Sequence, residues 1–227
     1  MTRSATSKSI AVASSNLPGR FIVFEGPEGG GKSLQVRNLA RRLRAAGHQV
    51  VETREPGGTR IGDGLRSLLL GLTEGDYAIL PETEVLMLAA ARAQHVREVI
   101  VPALSRGDWV ICDRFVDSTY AYQGGGHGID LNQLRPIQQY ATGDLEPDLR
   151  ILLDLPVEIG LSRRHADPAS VNRIDLASID FHRRVRSMYQ QLAHDHPDAW
   201  LVIDAEQPEE AVADQVWHGV QAGELIA

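Results

Sequence analysis

The feature that most constrains the fold is a glycine-rich segment between two regular elements. Residues 26–33 read Gly-Pro-Glu-Gly-Gly-Gly-Lys-Ser and fit the pattern G-x-x-x-x-G-K-[ST]. The apolar run 21–24 before it predicts a buried strand, and Val36, Ala40 and Leu43 after it share one face of a predicted helix. A chain that passes from a buried strand through such a loop into a helix is expected to fold as an α/β protein.

The remaining apolar runs predict an alternation of strands and helices. The predicted strands are residues 21–24, 48–51, 109–112, 150–153 and 200–203. Helical patterns cover residues 61–70, 82–104, 131–141, 157–164, 179–193 and 208–219. Five buried strands separated by helices predict a parallel sheet with helices on both faces, and active sites in such sheets lie at the carboxyl ends of the strands.

Composition narrows the class of protein. The chain has 227 residues and a formal net charge of −7, which argues against a protein that binds nucleic-acid backbone. No apolar run approaches the ~20 residues of a membrane span. The single cysteine, Cys112, indicates a reducing compartment, so we expect a cytoplasmic protein.

Residues 1–19 are rich in Ser, Ala and Thr and are expected to form a disordered extension, with a transit peptide as the alternative. One domain is expected over residues 20–227.

The glycine-rich loop predicts a site for ATP or GTP. Glycines let backbone N–H groups turn inward around phosphate oxygens, and the following helix N-terminus favours negative charge. Lys32 is expected to reach the β- and γ-phosphates and Ser33 to ligate Mg²⁺, with Asp113 and Asp154 as candidate metal-binding acids. The expected nucleotide-binding residues are Gly26, Pro27, Glu28, Gly29, Gly30, Gly31, Lys32 and Ser33.

A second polar cluster is expected at the same edge of the sheet. Residues 53–59 end the second strand, Asp113 and Arg114 end the third, and the polar and aromatic segment 117–126 follows. Taken singly, Arg54 also fits a surface ion pair, Asp113 and Arg114 also fit a helix cap, and residues 123–126 also fit an ordinary loop. Jointly they supply cations and hydrogen-bonding groups where an acceptor nucleotide would face ATP.

With these motifs the sequence resembles the thymidylate kinase family. The matching stretches are residues 21–33, 54–59, 65–70, 113–114 and 118–126, in family order and spacing. The resemblance implies a P-loop nucleoside monophosphate kinase fold, transfer of the ATP γ-phosphoryl group to dTMP with Mg²⁺, and a homodimer. It is closest to the bacterial type, in which a lid supplies arginines.

The resemblance also implies roles for single residues. Glu28 is similar to the carboxylate that reads the 3′-hydroxyl of dTMP, Arg114 to the arginine that holds its phosphate, and Arg92 to the arginine that binds the thymine edge. Further expected contacts to the acceptor come from Arg54, Arg66, Leu88, Ser118, Thr119, Tyr122 and Gln123.

Two departures from the family pattern bear on the site. Many relatives stack a phenylalanine on the base where this chain has Leu88, four residues before Arg92 on the same helix face. Some relatives place an arginine in the phosphate loop where this chain has Gly29, so a lid at about residues 163–176 is expected to supply catalytic cations, with Arg164 a candidate to face solvent instead. The expected catalytic set is Lys32, Arg54, Arg114, Arg163 and Arg173.

Two alternatives remain open at the level of sequence. The chain could phosphorylate another pyrimidine nucleotide, such as dUMP or CMP. It could also be a nucleotide-binding switch that holds ATP without an acceptor. The second cationic cluster and the position of Glu28 inside the loop oppose the switch.

Overall fold

The computed structural model describes residues 17–71, 79–166, 171–223 and 225. Its centre is a five-stranded, wholly parallel sheet with the strand order β2-β3-β1-β4-β5. The strands are β1 (Arg20–Glu25), β2 (Val50–Arg54), β3 (Trp109–Asp113), β4 (Leu149–Asp154) and β5 (Trp200–Asp204). The predicted parallel sheet is therefore confirmed, and β1, which leads into the glycine-rich loop, lies in its middle.

Helices connect the strands and cover the sheet. They are α1 (Lys32–Ala45), α2 (Arg60–Leu70), α3 (Pro81–His95), α4 (Val101–Ser105), α5 (Val116–Thr119), α6 (Leu131–Thr142), α7 (Val157–His165), α8 (Ile179–Asp195) and α9 (Glu209–Ala222). Two π-helical segments, Val96–Ile100 and Tyr120–Gly126, extend α3 into α4 and continue α5.

The apolar core has one layer on each face of the sheet. On one face, α1 and α9 pack against Ile22, Phe24 and Ile151. On the other, the α3–α4 segment packs against Phe21 and Val23, and α8 packs beside it. Because side chains alternate along a strand, β1 is buried on both faces, as its continuous apolar run predicts.

The observed elements differ from the predicted ones in three places. Strand β2 begins at Val50 rather than residue 48, and as edge strands β2 and β5 are only partly covered, with Val202 55% exposed. The helix predicted over residues 82–104 passes through a π-helical turn before Pro102, whose ring nitrogen has no hydrogen to donate within a helix. Residues 123–126, which allowed an ordinary loop, belong to the π-helical segment Tyr120–Gly126.

Part of the predicted N-terminal extension and part of the predicted lid, residues 1–16 and 167–170, lie outside the described residues. At the start of the described chain, Leu17 packs against the core and the Gly19 N–H donates to the Leu104 carbonyl at 3.0 Å. No helix in the described ranges is long and apolar enough to cross a membrane.

Candidate active site

A cavity of about 510 Å³ opens at the carboxyl ends of the central strands. The glycine-rich loop, the β2–α2 loop, α3, the α5 region and the end of α7 form its walls. Most of the residues expected at the site line it: Glu28, Gly29, Gly31, Lys32, Ser33, Arg54, Arg66, Leu88, Arg92, Asp113, Arg114, Ser118, Thr119, Tyr122, Gln123, Arg163 and Arg173. The two clusters predicted from sequence thus share one cavity.

The glycine-rich loop has the backbone that a phosphate cradle requires. Gly26 and Gly31 adopt φ values of 135° and 81°, which L-residues with side chains rarely adopt. Lys32 lies buried at the start of α1 and donates from Nζ to the Pro27 carbonyl at 2.7 Å. Burial and the nearby Arg114 charge lower the pKa of Lys32 to about 8. The loop therefore holds a desolvated cation beside a helix N-terminus, where an anion would be stabilised.

A close backbone contact explains the glycine at position 29. Gly29 has φ 73°, and a Cβ there would lie 2.1 Å from the Gly160 carbonyl oxygen in α7. A Cβ on Gly160 would in turn lie 2.2 Å from the Glu28 carbonyl oxygen. The loop and α7 thus pack backbone to backbone, and this loop has no room for the arginine that some relatives carry at the position of Gly29.

Arg114 joins the loop to the acceptor side of the cavity. Its backbone adopts φ 72°, unusual for a residue with a side chain. One guanidinium nitrogen, Nη1, donates to the Gly26 carbonyl at 3.1 Å, to Ser118 Oγ at 3.2 Å and to the Tyr189 hydroxyl at 3.1 Å. The other, Nη2, donates to Glu28 Oε1 at 2.9 Å and to the Tyr122 hydroxyl at 3.0 Å. The arginine is therefore held in place before any ligand arrives.

Glu28 is an ionised carboxylate inside the loop. Burial alone would raise its pKa, but the Arg114 and Lys32 charges and the Tyr122 hydroxyl outweigh burial and lower it to about 2. The Arg114 and Tyr122 bonds both end on Oε1. Among the described residues nothing donates to Oε2, which leaves one carboxylate oxygen available to a ligand hydroxyl.

A hydroxyl and a carboxylate face each other where Mg²⁺ was expected. Ser33 Oγ donates to Asp113 Oδ2, which brings two oxygen ligands of the kind Mg²⁺ prefers to the mouth of the loop. The described residues contain no cluster of three or more His, Cys, Asp or Glu side chains that could hold a metal by themselves. Asp154, the other candidate, instead accepts two hydrogen bonds from Arg186, at 2.8 and 2.9 Å, and is not among the residues that line the cavity.

Two further cations face the cavity from the β2–α2 region. Arg54 has a side chain that is 59% exposed and lies 3.9 Å from Asp63. Arg66 donates to the Pro56 carbonyl at 2.9 Å, and burial together with the Arg54 charge lowers its pKa. Asp113 and Asp63 oppose this effect of Arg54 on Arg66 but do not reverse it, and an anion bound between the two arginines would relieve their repulsion.

Arg92 is buried in the cavity wall rather than extended into it. Its Nε donates to Glu55 Oε2 at 2.7 Å, and Nη1 donates to Thr119 Oγ1 at 3.1 Å and to Gln138. Its Nη2 donates to the Phe115 carbonyl at 2.9 Å. These four bonds use most of the five N–H groups of a guanidinium and fix its plane. One turn earlier, Leu88 is half-buried and lines the cavity, so it is a wall residue and not plain core.

The polar residues of the 118–126 segment are tied to buried acids. Ser118 Oγ donates to Glu25 Oε2 at 2.6 Å, and Gln123 Nε2 donates to Glu84 Oε2 at 3.1 Å. The Gln123 amide oxygen is buried and has no hydrogen-bond partner. The carboxylate of Glu84 can only accept a hydrogen bond, so the amide nitrogen of Gln123 must face it. The amide oxygen of Gln123 is therefore the group left without a partner.

The three arginines of the expected lid lie in three different settings. Arg163 donates to the Ala205 carbonyl at 2.9 Å, and Arg173 pairs with Glu84 and donates to the Leu69 carbonyl at 3.0 Å. Arg164, which was expected to be a candidate for a solvent-facing position, instead lines the cavity and pairs with the buried Asp175. All three therefore border the site.

Sequence reasoning missed three buried acids that organise this site. Glu25 accepts from the Phe115 N–H at 2.8 Å, from Ser118 and from the Tyr189 hydroxyl, and burial and Asp117 raise its pKa to about 7. Glu55 pairs with Arg92, and Glu84 pairs with Arg173. In the sequence, Glu25 directly follows an apolar run and Glu84 lies at a helix start, which a solvated residue would also do, and Glu55 lies in the stretch 54–59 without a role of its own.

A sequence model of the family described as "Thymidylate kinase" matches residues 24–216. A thymidylate kinase of Thermomicrobium roseum is 55% identical over 87% of this chain and 92% of its own length. Another, of Pseudomonas fluorescens, is 50% identical over 85% and 90%. The crystal structure of thymidylate kinase from Ehrlichia chaffeensis matches with a TM-score of 0.71 and 32% identity, over 89% of this chain and 99% of that one. The chain therefore belongs to the thymidylate kinase family.

Proposed function

We propose that the protein is a dTMP kinase, which transfers the γ-phosphoryl group of ATP to dTMP and forms dTDP and ADP. The observation that carries the proposal is that one cavity joins the glycine-rich loop to a second, cationic site centred on Arg114. A nucleotide switch needs the loop but not an acceptor site. Relatives named thymidylate kinase, up to 55% identical over most of the chain, support dTMP as the acceptor.

The proposed mechanism is an in-line attack by an acceptor phosphate oxygen on the γ-phosphorus of ATP. That oxygen is already anionic at neutral pH, so no general base is required. Catalysis is then positioning and neutralisation of charge. Lys32 neutralises charge on the donor phosphates, whereas Arg114, Arg54 and Arg66 hold the acceptor phosphate. Arg163 and Arg173, in the lid, are the remaining cations proposed to neutralise charge on the transferring phosphoryl group.

Ser33 and Asp113 are the residues that would hold Mg²⁺ with the donor nucleotide, and the paired hydroxyl and carboxylate fit a hard, oxygen-binding cation. When bound, the metal supplies additional positive charge beside the transferring phosphoryl group. The protein itself holds the Ser33 hydroxyl, at the end of the loop, and the Asp113 carboxylate, at the end of β3, facing each other.

Recognition of the nucleoside is proposed to come from the opposite end of the cavity. Oε2 of Glu28 accepts a hydrogen bond from the 3′-hydroxyl, since Oε1 is already occupied by Arg114 and Tyr122. The remaining N–H of Arg92 donates to a carbonyl oxygen of the base, which favours thymine over cytosine because a guanidinium cannot accept. Leu88 packs on the ring, and Ser118, Thr119, Tyr122 and Gln123 surround it.

A coupled assay of ADP release from ATP and Mg²⁺ tests the function, with dTMP, dUMP, dCMP or CMP as acceptor or with none. We expect ADP release to depend on an acceptor and to be fastest with dTMP. Lys32→Ala is the control, because it should abolish activity with every acceptor. Release that ignores the acceptor would instead identify a switch or ATPase, and a preference for dUMP or CMP would identify a different nucleotide kinase.

We further propose that the enzyme is a cytoplasmic homodimer. The single cysteine suits a reducing compartment. Helices α2 and α6 both pack on α3, and each of the three leaves a large apolar side chain exposed: Leu68 at 60%, Leu86 at 61% and Tyr140 at 83%. Covering these side chains by a second copy would remove apolar surface from water. Light scattering on the purified chain should give twice its 24.9 kDa mass.

A further inference from the structure

A chain of buried hydrogen bonds runs behind the wall of the cavity, from β2 to α3. His95 at the end of α3 is fully buried. Its Nε2 lies 2.6 Å from Thr53 Oγ1, and its Nδ1 lies 3.0 Å from Glu55 Oε1. The other oxygen of that carboxylate, Oε2, accepts from Arg92 Nε at 2.7 Å. His95 therefore acts on the cavity through Glu55 and Arg92, which line it.

The charge state of Glu55 fixes the direction of these bonds. Burial would raise the pKa of Glu55, but Arg92 and the hydrogen bond from His95 outweigh burial and lower it. An ionised carboxylate only accepts hydrogen bonds, so Nδ1 of His95 must carry the hydrogen. In the neutral ring, Nε2 is then the acceptor and the Thr53 hydroxyl donates to it.

The carboxylate needs this second anchor to keep its orientation. Among the described residues, the side-chain oxygens of Glu55 contact only His95 and Arg92. Without a donor on Oε1, the carboxylate could rotate about its last torsion, which has a broad preference. Arg92 would then lose the Nε bond that sets the plane of its guanidinium at the cavity.

The same ring also supports the loop on the phosphate side. A Cβ on Gly58 would lie 2.8 Å from the His95 ring and 2.7 Å from Thr53 Oγ1, so the loop after β2 packs directly on this pair. That loop begins after Arg54 and supplies the Pro56 carbonyl that Arg66 binds. His95 is thus the contact between the helix that carries Arg92 and the loop beside the acceptor-phosphate cations.

We propose that His95 is a positioning residue for the acceptor, which holds Glu55 through Nδ1 and thereby keeps Arg92 oriented toward the base. The inference rests on the proposed function, because it assigns the Arg92 end of the cavity to the dTMP base. It predicts that loss of the Nδ1 bond weakens dTMP binding and leaves ATP binding and the transfer step unchanged.

Two substitutions distinguish the roles of the two ring nitrogens of His95. In His95→Asn the amide nitrogen replaces Nδ1 and keeps the donor to Glu55, whereas in His95→Gln the amide replaces Nε2 and keeps only the Thr53 contact. We expect His95→Gln to raise the dTMP KM roughly tenfold, the low end for loss of a hydrogen bond to a charged group, with kcat and the ATP KM within about twofold of wild type. His95→Asn should stay within about threefold of wild type for all three.

A merely structural histidine predicts a different pattern. Equal rises of the dTMP KM in both variants, no rise in either, or a loss of kcat that matches the rise in KM would overturn the inference. The proposed function is judged separately, on whether the wild-type enzyme releases ADP in response to dTMP.

A measurement on the wild-type protein covers the case in which a variant does not fold. Histidine-selective ¹⁵N NMR distinguishes a ring nitrogen that carries hydrogen from one that does not. His182 is also buried, so its signal is assigned first with a His182→Gln variant, and we expect the other buried histidine, His95, to carry its hydrogen on Nδ1. A neutral ring with hydrogen only on Nε2 would remove the donor to Glu55 and overturn the inference.

Discussion

The ammonium group of Lys32 is only partly charged in mildly alkaline solution. Burial and the Arg114 charge lower its pKa to about 8, and a bound triphosphate would raise the pKa again by adding negative charge. We therefore expect ATP binding to take up a large fraction of one proton at about pH 8.5 and none at about pH 6.5, where Lys32 is already charged. Isothermal titration calorimetry in two buffers of different ionisation enthalpy measures this uptake.

Lys32→Arg is the matched control for that experiment. An arginine stays protonated at both pH values, so the side chain at position 32 of the variant should take up no proton while it still binds the anion. Phosphate is fully ionised at about pH 8.5 and contributes little to the uptake. Uptake by the variant equal to that of wild type would mean that a group other than Lys32 titrates.

Leu88 sets the shape of the base end of the cavity. A base–aromatic stack is worth ~1–3 kcal/mol of binding free energy, and Leu88 has no aromatic ring to provide it. Because Leu88 is half-buried in the cavity wall, we expect Leu88→Phe to lower the dTMP KM roughly fivefold, near the low end of that range. Initial-rate kinetics with saturating ATP measure it.

Thr83→Phe is the control for the Leu88 experiment, because Thr83 is exposed on the same helix and is not among the residues that line the cavity. It should leave the dTMP KM unchanged. If Leu88→Phe instead raises the KM sharply and lowers the melting temperature, position 88 is packed too tightly for a ring and the stacking argument is wrong.

Arg163 at the end of α7 and Arg173 beyond it are expected to bring positive charge to the transferring phosphoryl group. The loop itself offers Lys32 but no arginine, because Gly29 packs against Gly160. An arginine at such a site is worth ~10³–10⁵ in rate. We expect Arg163→Ala or Arg173→Ala to lower kcat at least tenfold, a conservative fraction of that range, with little change in ATP affinity.

Arg183→Ala is the control for the lid, since Arg183 is exposed on α8 and pairs with Glu158 and Asp180. Its kcat should match wild type. Near-normal kcat in both lid variants and in the double variant would show that the lid is not catalytic. The charge would then have to come from Arg54, Arg114 or the paired Arg164.

The elements of this fold were predictable because their signals are local. Phe21 to Phe24 are apolar at every position, as a central parallel strand requires, and Lys32 and Ser33 follow at a spacing that phosphate geometry dictates. The helical turn at Tyr120–Gly126 was not predicted, because three glycines disfavour a helix and packing against α8 overrides that preference.

The partners of the charged residues were not predictable from the sequence. Arg173 pairs with Glu84 and Arg92 with Glu55, and these residues are distant in the chain. Periodicity states which residues share a face of one helix, but it does not state which two elements meet. The family resemblance supplied roles for Arg92 and Arg114, whereas the acids that hold them became visible only when the fold brought the elements together.

At the scale of the whole molecule, one buried acid joins the centre of the sheet to three parts of the site. Glu25 ends β1 and is fully buried. It accepts from the Phe115 N–H, from Ser118 and from Tyr189 of α8, and the last two also contact Arg114. Through these hydrogen bonds, Glu25 connects the strand that leads into the phosphate loop with Arg114 and with α8.

The position of Glu25 gives the whole fold a pH dependence. Burial and the Asp117 charge raise its pKa from 4.5 to about 7, so between these values the folded chain binds more protons than the unfolded chain. The free energy of unfolding must then fall as pH rises through this window, by at most roughly 3 kcal/mol. Glu25→Gln has no such proton to lose, so its stability should fall less between about pH 5 and 8.

Urea unfolding at several pH values measures this slope for wild type and Glu25→Gln. The control is Glu52→Gln, because Glu52 lies on the edge strand β2 and pairs with Arg44 at the surface. That variant should keep the wild-type slope, whatever its absolute stability. Glu28, with its pKa lowered from 4.5 to about 2, opposes this slope only near the lower end of the window, where its carboxyl in the unfolded chain is still partly protonated. Parallel stability curves for wild type and Glu25→Gln would mean that Glu25 is ionised throughout, and its bonds to Ser118 and Tyr189 would then be those of a permanent carboxylate.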